Sequence, residues 1–353
     1  IADTGIICKV AEGIGFDHKW SVVVGGQTSS EYLGQKMSYE VPSLAAISPK
    51  LLSTDGSTGI TLTGAQFGPE STSNVVTVMY RSVKYPNVGD VMTSNKMARN
   101  CSVDGHAHDT ITCVGSAEGI GTDLAFWVVV GTQTSNISTK KIAYKPPHVA
   151  SLTPVSGLET SGGDTVTIVG TNFGPAGIGN VPSSRYQTAP ETAGATALAL
   201  LSKNATNCTV IVDHVAIRCT TVVGVGRNVQ FFVTVGTQQS NGSHAVTSYA
   251  KPKVKDVAAV GAVNIRKLQT IGGQNLSVTG TNFGPLGGVV DNVVGLKYGN
   301  GTLGGTASNC SVVVAHTEMS CKTSVGVGSN LTFVATVGGH QGDYSSDYVH
   351  VAY

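Results

Sequence analysis

Charge is scarce in this chain of 353 residues, and the charge that is present nearly balances. Charged residues make up 12% of the sequence, with 22 Lys and Arg against 21 Asp and Glu, where a soluble domain usually has about a quarter. No block of Lys or Arg provides a surface of the kind that binds phosphate groups. We therefore expect no nucleic-acid partner.

Long apolar runs are absent as well. No run reaches the roughly 18 to 20 residues of a membrane span, and no signal peptide stands before Ile1. We therefore expect no membrane span in this chain. Because it starts at Ile rather than Met and in the middle of a repeat, we expect a processed product or a part of a longer polypeptide.

Sequence signatures of catalysis and of bound metals are missing too. No C-x-x-C pair of the zinc type occurs, and Asp and Glu are too sparse for a paired-carboxylate site or a calcium loop. His106 and His108 form a conceivable metal pair, although an exposed polar turn explains them equally well. Three G-x-G triplets lack the third glycine and the strand-to-helix context of a dinucleotide loop, so we interpret them as turns: Gly119–Gly121, Gly224–Gly226 and Gly326–Gly328. We predict no enzyme, no catalytic residue, no metal site and no cofactor.

What the chain does contain is a repeated phrase, VTIVGTNFGP at Val166–Pro175, with copies at Ile60–Pro69 and Leu276–Pro285. Each copy begins with the alternation of a half-buried strand and then breaks at a glycine. Each also carries one aromatic residue that can anchor a core, namely Phe67, Phe173 and Phe283. Three anchors predict three cores.

A second phrase runs in phase with the first and has four copies, beginning at Trp20, Trp127, Phe232 and Val334. A tyrosine closes each unit, and the steps are 144 − 39 = 105, 249 − 144 = 105 and 353 − 249 = 104 residues. Units of about 100 residues are domains rather than solenoid repeats. The predicted organisation is beads on a string: an incomplete repeat at 1–39 and whole repeats at 40–144, 145–249 and 250–353.

The combined pattern resembles the IPT/TIG family of immunoglobulin-like domains. It consists of a proline-flanked entry (Ile47-Ser48-Pro49, Leu152-Thr153-Pro154), then a G-x-N-F-G phrase and then a cysteine-bracketed hairpin. The third repeat lacks the Ser/Thr-Pro entry. The resemblance implies an all-β fold of tandem immunoglobulin-like β-sandwiches of the kind found in plexins, growth-factor receptors and extracellular surface proteins. The cysteine pattern is closest to fibrocystin-like arrays.

Seven cysteines indicate the compartment. Six recur in phase and are best interpreted as three structural disulfides, Cys101–Cys113, Cys208–Cys219 and Cys310–Cys321. Each would tie two antiparallel neighbours together and contribute roughly 2–3 kcal/mol. Cys8 aligns with the second member of each pair and has no partner in this sequence. An exposed thiol is unexpected in an oxidising compartment, so we expect its partner upstream of Ile1 or in another chain.

Asparagine sequons make a second compartmental argument. Nine N-x-S/T sites occur, and several stand at matching places in the repeats. Because a glycan must lie on the solvent side, phase-locked sequons predict N-glycosylation of an extracellular, secreted or cell-surface protein. The predicted sites are Asn100, Asn136, Asn204, Asn207, Asn241, Asn275, Asn300, Asn309 and Asn330.

Residues 1–39 supply only the closing strands of a sandwich, predicted through Cys8, around Trp20–Val24 and up to Tyr39. Without a facing sheet, Trp20, Val22 and Val24 would expose an apolar patch and open strand edges. These three residues are the predicted assembly site, completed by an upstream segment of the same polypeptide or by another chain.

Two classes of function remain open. One is a structural subunit of a cell-surface fibre or filament, with self-association as its partner interaction. The alternative is a stalk or ligand-binding segment of a receptor or adhesin ectodomain. The long excursion at Ala176–Lys203, with a predicted short helix at Ala193–Leu201, is either a tolerated insertion or a contact surface.

Overall fold

Every regular element in the described part of the chain is a β-strand. The computed structural model describes residues 4–70, 75–84, 94–105, 108–177, 179–188, 202–261, 266–286, 294–300, 304–345 and 351–353. Their strands form separate small sheets, so the fold is all-β and consists of tandem immunoglobulin-like domains. In these ranges no helix has the length and apolar character that crossing a membrane requires. The predicted helix at Ala193–Leu201 lies outside the described residues.

The first whole repeat contains two four-stranded antiparallel sheets, in the orders β3-β5-β9-β8 and β11-β10-β6-β7, plus a short parallel pair, β4 with β12. Its strands are β3 (Ser43–Ser48), β4 (Leu51–Leu52), β5 (Ile60–Ala65), β6 (Val76–Ser82), β7 (Lys96–Met97), β8 (Arg99–Val103), β9 (Thr110–Gly115), β10 (Leu124–Val130), β11 (Gln133–Thr134) and β12 (Ala143–Tyr144). They follow β1 (Val23–Val24) and β2 (Gln27–Thr28), which pair with each other.

The second and third repeats reproduce this arrangement, with sheets β13-β14-β18-β17 and β16-β15-β19-β20, then β22-β23-β27-β26 and β25-β24-β28-β29. Their strands are β13 (His148–Thr153), β14 (Thr165–Thr171), β15 (Ser183–Thr188), β16 (Lys203–Asn204), β17 (Thr206–Val212), β18 (Ala216–Thr220), β19 (Val229–Val235), β20 (Gln238–Gln239), β21 (Val246–Thr247), β22 (Lys253–Ala259), β23 (Asn275–Thr281), β24 (Val294–Gly299), β25 (Gly304–Thr306), β26 (Ser308–Val314), β27 (Glu318–Lys322), β28 (Thr332–Val337) and β29 (His340–Gln341). The third repeat thus has an entry strand, β22, without the proline of the other two.

The cores form where the alternating strands turn their apolar sides inward. In β6 the inward residues are Val76, Val78 and Tyr80, and all three are buried. The aromatic anchors Phe67, Phe173 and Phe283 are fully buried. The residue before each of them has a positive φ (Gln66 65°, Asn172 63°, Asn282 63°), a conformation that asparagine tolerates better than most residues.

A pair of tyrosines closes each whole repeat. The hydroxyl of Tyr80 lies 3.1 Å from that of Tyr144, and the ring of Tyr80 stacks on Phe126 at 4.5 Å. Tyr186 with Tyr249 (3.1 Å) and Tyr298 with Tyr353 (2.7 Å) repeat the arrangement. Burial raises the pKa of Tyr80 and of Tyr144, and the neighbouring Tyr80 raises that of Tyr144 further. Both phenols therefore stay protonated to a higher pH than an exposed tyrosine does.

The closing strand of each repeat also pairs in parallel with the segment that follows its entry strand. Two backbone hydrogen bonds form this pairing in the first repeat, from Ala143 N to Lys50 O (3.1 Å) and from Lys145 N to Leu52 O (2.8 Å). The second and third repeats each form two bonds of the same kind. The two ends of a repeat are thus tied to each other.

Residues 4–39 are less regular than the sequence predicts. The strand expected through Cys8 does not form, and the strand expected at Trp20–Val24 is reduced to Val23–Val24. A strand needs a neighbouring strand to which it can hydrogen-bond, and no described residue provides one beside Cys8. The predicted turn and closing strand survive as a bridge from His18 to Met37 and a bond from Tyr39 N to Gly15 O (3.0 Å).

The chain divides into two compact units by its internal contacts. One contains Ile1–Pro146, Asn172–Val181 and Val235–Gln238, and the other contains Pro147–Thr171, Pro182–Thr234 and Gln239–Tyr353. The repeat boundaries at 39, 144 and 249 remain predictions from the sequence period.

Candidate assembly site

The inward face of the first, incomplete repeat is exposed. Aligning Gly25 with Gly131, Gly236 and Gly338 pairs Trp20, Val22 and Val24 with core positions of the whole repeats. Trp20, Val22 and Val24 are 38%, 44% and 64% exposed, whereas every counterpart is at most 2% exposed. Those counterparts are Phe126, Phe231 and Phe333, then Val128, Val233 and Ala335, then Val130, Val235 and Val337.

An open cleft of about 350 Å³ lies beside this face and is lined by Val10, His18, Trp20, Met37 and Tyr39, among others. In the first two whole repeats a stacked tyrosine fills the space over the residue equivalent to Trp20, and in the third a tilted tyrosine does so. The hydroxyl of Tyr39 already donates to Ala11 O at 2.8 Å, just as Tyr144 donates to Ala117 O at 3.0 Å. What differs in residues 4–39 is that no second tyrosine completes the pair.

A second recurring contact joins each repeat to the one before it, and we call it a joint. It forms between a G-x-G turn of one repeat (Gly13–Gly15, Gly119–Gly121, Gly224–Gly226) and the hairpin tip of the next (Gly131–Thr132, Gly236–Thr237, Gly338–Gly339). Both tip residues have positive φ, for example 51° at Gly131 and 72° at Thr132, as a type I′ turn requires. Each joint lies wholly within one compact unit.

The glycine at the tip lets two backbones approach closely. A Cβ on Gly131 would lie 2.9 Å from the backbone nitrogen of Gly15, and one on Gly236 would lie 2.7 Å from that of Gly121. A side-chain hydrogen bond completes the contact, from Gln133 Nε2 to Tyr39 O and from Gln238 Nε2 to Tyr144 O, both at 2.9 Å. The TQ phrase of the sequence therefore has a structural role at the joints.

The central residue of each G-x-G turn supplies the apolar part of the joint. Ile14 packs against the core of the first whole repeat, and Val225 belongs to the core of the third. Ile120 is only 2% exposed and Val225 only 6%. Sequence reasoning treated these triplets as simple turns and missed this role. The available signal was a β-branched apolar residue at the centre of every turn.

The third joint departs from the first two because His340 takes the place of Gln133 and Gln238. Its backbone partner is again the closing tyrosine of the preceding repeat, Tyr249. Its Nδ1 is buried and has no hydrogen-bond partner among the residues that the structure describes. Burial, followed by the nearby Lys251, lowers the pKa of His340, with a smaller lowering by Arg227 and an opposing effect of Asp343.

Six of the seven cysteines form three disulfides. The sulfur atoms of Cys101–Cys113, Cys208–Cys219 and Cys310–Cys321 are 2.05, 2.04 and 2.04 Å apart. Cys101 and Cys113 face each other across the antiparallel strands β8 and β9. Cys8 is exposed and unbonded. Disulfide-bonded domains of this kind belong to oxidising, extracellular surroundings.

All nine predicted glycosylation asparagines have exposed side chains. The structure also gives their phase a second explanation. Asn100, Asn207 and Asn309 have φ values of 51°, 50° and 50°, and asparagine is one of the few residues that adopts this conformation readily. At Asn136 and Asn241 the sequon serine is structural, because Ser138 and Ser243 accept the backbone N–H of Phe126 and Phe231 at 3.0 Å.

The recurring histidines occupy turns rather than a cluster. His108, His214 and His316 have φ values of 58°, 63° and 66°. His108 Nε2 lies 3.6 Å from a Glu12 oxygen, and His316 Nδ1 lies 2.8 Å from the Thr160 hydroxyl. His106 lies outside the described residues. Within those that are described, no three His, Cys, Asp or Glu side chains are grouped as a metal site would need.

The IPT/TIG domain family matches residues 147–249, and no curated protein matches the chain. Among solved structures, the chain is similar to the plexin A4 extracellular region (17% identity, 83% of this chain and 22% of that one, TM-score 0.26). It is also similar to the Escherichia coli adhesin FdeC (12%, 89% and 99%, 0.24) and to invasin, a bacterial integrin-binding protein (11%, 88% and 59%, 0.25). Such low identities and TM-scores carry no argument about function. This chain spans about a fifth of the plexin structure.

Proposed function

We propose that this chain is a non-catalytic subunit of an extracellular fibre, in which glycosylated immunoglobulin-like repeats are extended through residues 1–39. The observation that carries the proposal is the exposed inward face of Trp20, Val22 and Val24, whose counterparts are buried in every whole repeat. Burying a large apolar side chain fully contributes roughly 1.5–3 kcal/mol. Covering this face therefore favours the assembled state over the single chain.

The whole repeats define the chemistry of the covering segment. In the first repeat, β6 pairs with β10 and turns Val76, Val78 and Tyr80 toward the core. A strand that completes residues 1–39 would likewise alternate apolar side chains and place a tyrosine over Trp20, with its hydroxyl at Tyr39. Main-chain hydrogen bonds then supply affinity and the alternating side chains supply specificity.

Three further features fit a scaffold better than an enzyme. Every element of the site occurs once per repeat, whereas an active site is normally built once. Disulfides in each repeat suit an oxidising, extracellular compartment. The nine exposed sequons suit a surface coated with N-linked glycans. The partners in this proposal are other copies of the chain and its own glycans, and nucleic acid is not one of them.

A second candidate is a stalk or ligand-binding segment of a receptor or adhesin ectodomain. It is favoured by the IPT/TIG match at residues 147–249 and by the joints, which already link repeats along one polypeptide. In that case an upstream repeat of the same polypeptide would cover residues 1–39 and provide the partner of Cys8. The fibrocystin-like array inferred from the cysteine pattern belongs to this candidate.

Electron microscopy of the purified chain, combined with its intact mass, tests the proposal. We expect filaments with a regular axial repeat, and we expect Val22→Asp to abolish them while the three whole repeats stay folded. Val23→Asp is the matched control, because Val23 is 63% exposed and points to the opposite side of the same strand. Monodisperse particles, or filaments unchanged by Val22→Asp, would contradict the fibre. A native mass that includes an upstream repeat would favour the ectodomain.

A further inference from the structure

The described chain has one hairpin tip and one G-x-G turn that no joint uses. The tip is Gly25–Gly26 followed by Gln27, in the first, incomplete repeat. The turn is Gly326–Gly328, beside the closing Tyr353 of the third repeat. Both have the backbone of their counterparts, with φ values of 55° and 79° at Gly25 and Gly26 and 130° at Gly328.

Their exposure shows that both surfaces are unoccupied by any described residue. Val327 is 60% exposed, whereas Ile120 and Val225, at the same position of the turn, are buried. A Cβ added to Gly25 would meet nothing within 4 Å, whereas one added to Gly131 would lie 2.9 Å from Ile14 Cβ. The same two half-sites that meet inside the chain are therefore left uncovered by the described residues, one in the first, incomplete repeat and one in the third repeat.

We propose that these half-sites bind each other between two copies of this chain. Val327 of one copy would lie against the Gly25–Gly26 tip of the next, and Gln27 would donate its side-chain N–H to the backbone oxygen of Tyr353. In the internal joints the central turn residue packs against the core of the following repeat. Val327 would correspondingly lie at the Val24 end of the exposed face, next to the strand that covers Trp20 and Val22.

This contact is heterologous, because different surfaces of the two copies meet. A heterologous contact that does not close into a ring propagates from copy to copy. The inference rests on the proposed fibre and deepens it by naming the residues on both sides of the contact between subunits. It also explains why the first and the third repeat both expose apolar groups whose counterparts are buried elsewhere in the chain.

Disulfide trapping tests the contact directly. In the internal joints, a Cβ on the tip glycine would lie 2.9, 3.0 and 3.2 Å from the Cβ of the turn residue, at Gly131 with Ile14, Gly236 with Ile120 and Gly338 with Val225. A disulfide needs about 3.5–4.5 Å, so a small shift suffices. One chain carries Gly25→Cys and a second, distinguishable by mass, carries Val327→Cys, both with Cys8→Ser. The pair Gly338→Cys and Val225→Cys within one chain is the positive control.

We expect a mixed disulfide dimer only when the two chains are combined. Its yield should exceed that of the Val325→Cys control by about tenfold or more, because docking raises the effective concentration of the thiols. Val325 is 77% exposed on the same turn. Equal yields from Val325→Cys and Val327→Cys, or no mixed dimer while the positive control forms, would overturn the proposal. Filaments without the mixed dimer would refute this contact alone, whereas the absence of both would refute the fibre as well.

Discussion

Replacing Ile120 by alanine should open the second joint without unfolding either repeat. Ile120 is 2% exposed and lies against Gly236 and Gly174. The change removes three carbons, at about 0.8 kcal/mol for each buried methylene, and leaves a cavity that adds to the loss. We therefore expect the free energy of opening the joint to fall by about 2.5–4 kcal/mol, which is roughly two to three powers of ten in the opening equilibrium.

Hydrogen–deuterium exchange with mass spectrometry measures this opening. Peptides that cover Gly119–Gly121 and Gly236–Gln238 should exchange faster by that factor, while peptides from β14 and β18 should not change. Val327→Ala, measured on single, unassembled chains, is the matched control, since Val327 holds the same position in its own turn but is 60% exposed there. This substitution should change the free energy of opening the second joint by no more than about 0.5 kcal/mol. Equal effects of the two substitutions would refute the reasoning that the central turn residue holds the joint.

Three further predictions concern other sites. Because burial raises the pKa of Tyr144 above the unfolded value of about 10, its contribution to stability is complete below pH 10 and is lost as pH rises further; phenolate absorbance should show this tyrosine ionising only when the repeat unfolds. Because the pKa of His340 is lowered from about 6.5, the third joint should weaken as pH falls below that value. His340→Gln should remove this pH dependence in hydrogen exchange of Gly338–Gln341, and a persistent dependence would contradict the assignment. Enzymatic deglycosylation in heavy water should convert three asparagines to labelled aspartate, namely Asn100, Asn207 and Asn309. If none of the three shows this mass shift, the support for a sugar coat is removed.

The sequence period predicted three repeated cores and much of the site, and the resemblance to IPT/TIG domains implied the immunoglobulin-like fold. Phase alone identified Phe67 as a core anchor, and it placed Trp20, Val22 and Val24 on one face. It could not reveal the Tyr80–Tyr144 pair, because these residues are 64 positions apart and only the fold brings them together. It also could not show that Ile120 acts in the following repeat, since the contacts of a turn residue are not encoded near it.

One expectation failed for a physical reason. The strand predicted through Cys8 has the right composition but lacks a pairing partner among the described residues, so its pattern alone does not make a strand. N-glycosylation stays a prediction, because the left-handed backbone at Asn207 favours asparagine there with or without sugar, so the phase of the sequons has a second explanation. The sequons at Asn136 and Asn241 also have a structural part, namely the serine. At the equivalent position of the third repeat, Ser345 accepts the N–H of Phe333 at 3.0 Å, while Asp343 replaces the sequon asparagine.

The parallel pairing at the ends of each repeat has a mechanical consequence. Tension applied along the polypeptide pulls the segment at Leu51–Leu52 and the closing strand at Ala143–Tyr144 in opposite directions along a common axis. The two hydrogen bonds between them, Ala143 N to Lys50 O and Lys145 N to Leu52 O, are then loaded together in shear rather than broken one after the other. Each repeat therefore carries its own force-bearing clamp, and rupture of one clamp leaves those of its neighbours intact.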